Sequence, residues 1–162
     1  MGRGLVAGFK VFICIIGRIC ISVIFIASGI NKCLEWNETM GGVEKVLSEW
    51  VQRSIDSEGL QSVFTQLLPY VDILVICAIV FELVGGLMVL LGFKARFGAF
   101  LLFLFMIPTT LLFHPFWFYE DNVQQMQLVM FLKNLAIVGG LLYVMAFGSG
   151  RESKGQAVEQ NQ

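Results

Sequence analysis

A chain of 162 residues that is 57% hydrophobic and only 14% charged, with a mean hydropathy of +0.78, lies far from a soluble domain, where ~25% of residues are charged. The formal net charge of −1 supplies no basic field, so no nucleic-acid partner is expected. The apolar residues come in blocks close to the ~20 residues that cross a bilayer. The sequence therefore predicts an all-α integral membrane protein, four transmembrane helices in a bundle, with the lipid bilayer as its first partner.

The first block, residues 9–30, follows Arg3 and Lys10 as a signal peptide would. Arg18 interrupts it and no small-residue cleavage site follows, so it reads as a retained span. Residue 6 is Val where a myristoylation motif needs Ser or Thr. In the long segment that follows, Val43, Val46, Leu47, Trp50, Val51 and Ile55 share one helical face. Leu60, Val63, Phe64, Leu67 and Leu68 repeat the pattern after Gly59. Two short amphipathic outer helices within residues 42–68 are expected, lying on the membrane surface or capping the bundle. They read either as plain surface structure or as a partner site.

The second and third spans, residues 71–92 and 97–113, are joined by the short turn Phe-Lys-Ala-Arg, and Pro108 should bend the third. His114, the single histidine, is followed by Pro115. It reads as an interfacial stop, because proline cannot continue a helix, or as a group exchanging protons with a bound headgroup. The fourth span covers residues 125–147, which closes a single membrane domain over residues 1–150, and the polar stretch 151–162 reads as a disordered tail. Arg3, Lys10, Lys94, Arg96, Arg151 and Lys154 collect on one side, whereas the other has Lys32, Lys45 and Arg53 in the first long loop and no Lys or Arg in the loop after the third span. That bias predicts both termini in the cytoplasm, with Trp36, Trp117 and Tyr119 at the outer interface.

Three spans carry charge at depth. Counted from the outer span ends at the helical rise, Arg18 lies ~18 Å deep, Glu82 ~16 Å and Lys133 ~12 Å. A carboxylate between two cations is the cheapest arrangement for all three in a bilayer. Arg18 is therefore expected to face Glu82, with Lys133 as a second cation. Small residues flank each charge: Cys14, Ser22 and Gly29 for Arg18, Gly85 and Gly86 for Glu82, and Ala136, Gly139 and Gly140 for Lys133. Such residues mark helix-packing seams in membranes. The triad reads equally as a register-fixing staple and as a functional site. The stretches 83–90 and 137–144 both carry Val-Gly-Gly-Leu, which suggests two like-oriented helical hairpins.

The four cysteines form no Cys-x-x-Cys pair, so no metal site is expected. Three lie in apolar blocks, where Cys acts as a small hydrophobe. No flavin, haem or iron–sulfur ligand pattern is present, and no covalently bound cofactor is expected. Any electron transfer needs a partner redox protein or a diffusible quinone.

Arg18 followed by Phe-Ile-Ala-Ser-Gly-Ile-Asn-Lys, then Phe-Glu-Leu-Val-Gly-Gly-Leu-Met-Val-Leu-Leu-Gly-Phe, Leu-Leu-Phe-His with Trp117, and Phe-Leu-Lys-Asn-Leu-Ala-Ile-Val-Gly-Gly-Leu-Leu resemble the DoxX family in content and order. The resemblance covers about residues 11–147. It implies a small four-helix protein of the bacterial inner membrane. The family is named for similarity to a subunit of a thiosulfate:quinone oxidoreductase, so it implies a subunit of an oxidoreductase complex linked to a quinone or a sulfur compound. The matching positions are Arg18, Gly29, Lys32, Glu82, Gly86, His114, Lys133 and Asn134. On that basis Glu82 and His114 are the expected catalytic groups, and Arg18, Lys32, Lys133 and Asn134 the ligand-binding ones. Quinone is the expected non-covalent cofactor, and a redox protein or a second copy the expected partner. A scaffold or assembly factor without catalysis, and a small-solute transporter, are the alternatives.

Overall fold

The computed structural model describes the backbone of residues 2–150 and the side chains of residues 8–150. All regular structure among the described residues is helical. The chain runs through α1 (Gly2–Leu34), α2 (Trp36–Arg53), α3 (Glu58–Leu67), α4 (Val71–Leu91), α5 (Ala95–Phe113) and α6 (Asp121–Phe147). Four stretches are long and apolar enough to cross a membrane, and they contain α1, α4, α5 and α6. The protein is a multi-pass membrane protein.

Local chemistry sets the helix ends. α4 stops at Gly92, whose φ of 72° is the left-handed conformation that glycine adopts without penalty. α5 stops at His114, just before Pro115, and Pro108 stays inside it as a helical residue. α1 packs antiparallel on α4, α4 on α5, and α5 on α6, while α1 and α6 meet over a much shorter stretch. The principal seams depend on missing side chains. A Cβ on Gly85 would stand 2.8 Å from Leu102 Cγ and 2.9 Å from the Gly98 carbonyl oxygen. One on Gly29 would stand 2.8 Å from Leu83 Cδ2. Helix backbones therefore approach closely along α1–α4 and α4–α5, as membrane bundles require.

Two apolar clusters fill the interior. Phe25, Val89, Ala99, Leu102, Met106, Val138 and Leu141 form one between the four long helices. Leu47, Phe64, Val71 and Val75 form the other, where α2 and α3 cover one end of the bundle. That end is called the cap end below, and the α4–α5 turn marks the turn end.

Several sequence expectations change. Two short, separate outer helices are not what the chain forms. α2 is a long helix of 18 residues, and α3 runs through a 3-10 turn at Leu68–Tyr70 into α4, giving a near-continuous stretch over Glu58–Leu91. The first span does not stop at residue 30, because α1 continues to Leu34 and carries Lys32 inside the helix. The two Val-Gly-Gly-Leu stretches are not equivalent. Gly85 and Gly86 are buried in seams, whereas a Cβ on Gly139 would meet nothing within 4 Å and one on Gly140 would meet only Ile21. The tail expected over residues 151–162 lies outside the described residues.

Candidate functional site

Glu82 sits in the second half of α4 with 1% of its surface exposed. An isolated carboxylate there would be strongly disfavoured, and the structure supplies its partner from α1. Lys32 Nζ donates to Glu82 Oε1 at 2.9 Å and stands 2.8 Å from Oε2. Only Oε1 receives a well-aligned N–H, so the second oxygen feels the ammonium charge without a hydrogen bond of its own. Lys32 also donates to Ser28 Oγ at 2.6 Å, one turn back on α1, and lies 5.5 Å from the centre of the Phe105 ring on α5. Three helices thus converge on one ammonium group.

The expected pairing of Arg18 with Glu82 is therefore wrong. Arg18 is fourteen residues from Lys32, about 21 Å along α1. Its guanidinium packs against Gly92 at the turn end, so closely that a Cβ there would collide with Nη1. Arg18 is buried, and its Nε has no partner among the described residues. Lys133 does not join the cluster either. It is exposed on α6, where its Nζ reaches only Met130 Sδ at 3.3 Å. Asn134, the next residue, is buried.

Beside Lys32 lies a cavity of about 550 Å³. Its walls come from α2, α3, α4 and α5, and they are mostly apolar, with Val75, Ala78, Phe81 and Phe105 among them. Lys32, Thr39, Thr109 and His114 supply the polar side chains. Small-molecule sites typically enclose ~300–1,000 Å³, with apolar walls and a few placed polar groups. His114 Nδ1 is 2.9 Å from Gln127 Oε1 on α6, which leaves Nε2 uncommitted. Pro108, also in the wall, has no N–H for the carbonyl of Leu104, its neighbour in the same wall.

α2 is fastened over this cavity at two points. Trp50 Nε1 donates to the Leu112 carbonyl at 2.9 Å. Arg53 donates to Tyr119 Oη at 3.0 Å, pairs with Glu49 at 3.2 Å, and lies 5.1 Å from the Phe118 ring centre. A cation against aromatic faces contributes ~0.5–1 kcal/mol at exposed sites, so the clamp rests on several modest contacts.

Of the residues singled out in the sequence, the structure brings together Lys32 and Glu82, and it places His114 on the same cavity as Lys32. Gly29 and Gly86 support this site by letting α1 approach α4. Arg18, Lys133, Asn134, Gly139 and Gly140 lie elsewhere. Sequence reasoning missed Thr39, Thr109 and Cys77 as wall residues. Isolated threonines and a cysteine on apolar helices carry no signal until the helix faces are known. Among the described residues, no group of three His, Cys, Asp or Glu side chains could hold a metal ion, and all four cysteines are free thiols.

Removing one partner of a buried pair typically costs ~3–5 kcal/mol, but the two removals here should differ. Lys32→Met strands a carboxylate with no exposed surface to turn to. Glu82→Gln leaves an ammonium that is 23% exposed and can reorient. In thermal unfolding of the detergent-solubilised protein, Lys32→Met should show the larger loss. An equal or reversed order would mean that Glu82 has another donor.

A family model described as DoxX matches residues 13–115. That stretch contains every residue lining the cavity, from Lys32 to His114. The ER-derived vesicles protein ERV29 of Saccharomyces cerevisiae is 29% identical over 75 residues, covering 46% of this chain and 24% of that protein. The chain thus spans about a quarter of the length of that relative. No solved structure matches the chain.

Proposed function

The chain belongs to the DoxX family, and on that premise we propose that it is a membrane subunit of an oxidoreductase system that takes a quinone-like molecule into the cavity beside Lys32. The observation that carries the reading is the apolar cavity of about 550 Å³ with a charged pair at its edge. Cys77 and Leu104 belong to its wall and are exposed on the outside of α4 and α5. A lipid-soluble ligand would therefore enter sideways from the bilayer.

The donor set fits a neutral carbonyl compound better than a sulfur oxyanion. Lys32 and Glu82 together carry no net charge, so the site offers little attraction for an anion. Lys32 has three N–H donors, and Ser28 and Glu82 Oε1 accept two of them. The third would bind a carbonyl oxygen in the cavity. The free Nε2 of His114 would exchange a proton with an oxygen near the cap end. A quinone, when bound, supplies two-electron, two-proton chemistry, with the electrons drawn from a partner redox protein. The protein's own part is to bind and orient the ring, keep water out beneath α2, and hand over protons.

Filling the cavity tests this reading. Ala78→Phe should lower the affinity for a decyl-substituted benzoquinone at least fivefold, read by tryptophan quenching, with the unfolding midpoint moved by only a few degrees. Unchanged affinity would remove the cavity from quinone binding.

We propose the bacterial inner membrane on the family resemblance, and a cap end facing outward with both termini cytoplasmic on the distribution of Lys and Arg. Cys33 is exposed near the cap end. It should react with a membrane-impermeant maleimide in intact cells, whereas a cysteine introduced at Lys154 should not. The opposite labelling pattern would invert the orientation.

A further inference from the structure

Two charged side chains are buried among the described residues, Glu82 and Arg18. Glu82 has its counter-ion in Lys32. Arg18 has none among the described residues, whose ion pairs are Lys32–Glu82 and Arg53–Glu49. It is 8% exposed, and its Nε has no hydrogen-bond partner. A buried charge without a counter-charge is costly. The turn end offers Arg18 no carboxylate. Every Asp and Glu among the described residues falls within 35–82 or at 120–121, toward the cap end or, for Glu82, already held by Lys32. Cations gather at the turn instead, with Lys94 and Arg96 at the start of α5.

The Arg18 guanidinium is aimed at the junction of α4 and α5. It fills the space that a Cβ on Gly92 would take, two residues before Lys94, the N-cap of α5. Lys94 makes no side-chain capping bond, and the first turn of α5 holds no acidic residue. The first N–H groups of α5 therefore lack helical partners and carry the positive end of its dipole. The chain leaving α6 brings a second guanidinium alongside. Arg96 Nε would stand 3.2 Å from a Cβ on Gly148, and Ser149 Cβ 3.4 Å from one on Gly92. Residues 148–149 thus lie between Arg96 and Arg18. The carbonyl end of α4 favours a cation beside Gly92, but a partial charge is not a counter-ion.

We infer that the turn end binds a phosphate group, held by Arg18 with Arg96 and the free N–H groups at the start of α5. A guanidinium fork matches two phosphate oxygens, and a helix N-terminus favours the same anion. Leu91, Phe93 and Phe97 are exposed around the turn, where they would meet acyl chains, so the headgroup of an anionic phospholipid is the nearer source. Free phosphate shares its chemistry. Arg18 lies about 21 Å along α1 from Lys32, so the inference is independent of what the cavity binds.

The test uses the full-length protein in a non-ionic detergent at fixed ionic strength. Its unfolding midpoint is followed against added short-chain phosphatidylglycerol or inorganic phosphate. Phosphatidylglycerol should raise the midpoint saturably, and Arg18→Met should weaken that response about tenfold, as loss of hydrogen bonds to a charged group does. Arg18→Lys keeps the charge without the fork and should lose several-fold. Neither substitution should change benzoquinone affinity. Saturation by inorganic phosphate as well would make the free ion sufficient, and a response to the lipid alone would assign the headgroup; both support the site. Three results would overturn it. One is that neither probe stabilises the protein, and another is that both Arg18 variants respond like the wild type. The third concerns Glu152, outside the described residues: a Glu152→Gln loss of stability that disappears in the Arg18→Met background would place the anion within the chain.

Discussion

Glu82 is buried in the apolar α4, and a charge in that position needs a partner with a fixed address. Lys32 provides it from α1, and meeting this requirement sets the relative placement of three helices. α1 must run past residue 30 as a helix for Lys32 to arrive at the right depth. Gly29, one turn earlier, must lack a side chain for α1 to come close to Leu83 and Glu82. Phe105 on α5 then closes the far side of the ammonium. Buried pairs of this kind often add little net stability, because desolvation offsets the attraction. Their effect is to penalise every packing that separates the partners.

The cavity follows from the same arrangement. Lys32 occupies one edge, so the remaining space beneath α2 is left to apolar side chains from α4 and α5. α2 stays in place through contacts that are individually weak: one indole hydrogen bond, one guanidinium clamp and an apolar face centred on Leu47. The site has the character of its surroundings. It is greasy, open toward lipid, and equipped with few polar atoms. That character underlies the proposal of a quinone-like ligand rather than a soluble substrate.

The membrane helices were legible in the sequence because a chain this short cannot build a water-soluble core large enough to bury four apolar blocks of spanning length. The two seams on α4 were legible as well, since Gly85 and Gly86 lie one turn beyond Glu82. The partner of Glu82 was not. A depth counted from a span end at residue 30 puts Arg18 level with Glu82, but α1 is 33 residues long and reaches past the other helices at the turn end. A count along one helix cannot reveal how far it slides against its neighbour. Lys133 failed for a different reason. Small residues lie beside it just as they lie beside Glu82, and a stripe of small residues does not say whether it faces its own bundle or another molecule. α2 resisted reading because its apolar stripe fits a membrane surface and a bundle cap equally well.

A double-mutant cycle tests the central pairing most directly. The variants are Lys32→Met, Glu82→Met and their combination, followed by thermal or chemical unfolding, with Arg18→Met combined with Glu82→Met as the comparison. Residues in contact show coupling of ~0.5–3 kcal/mol, whereas distant sites add within ~0.3–0.5 kcal/mol. The structure predicts coupling of about 2 kcal/mol or more for Lys32 with Glu82, and near-additive losses for Arg18 with Glu82. Strong coupling of Glu82 to Arg18, with none to Lys32, would contradict it.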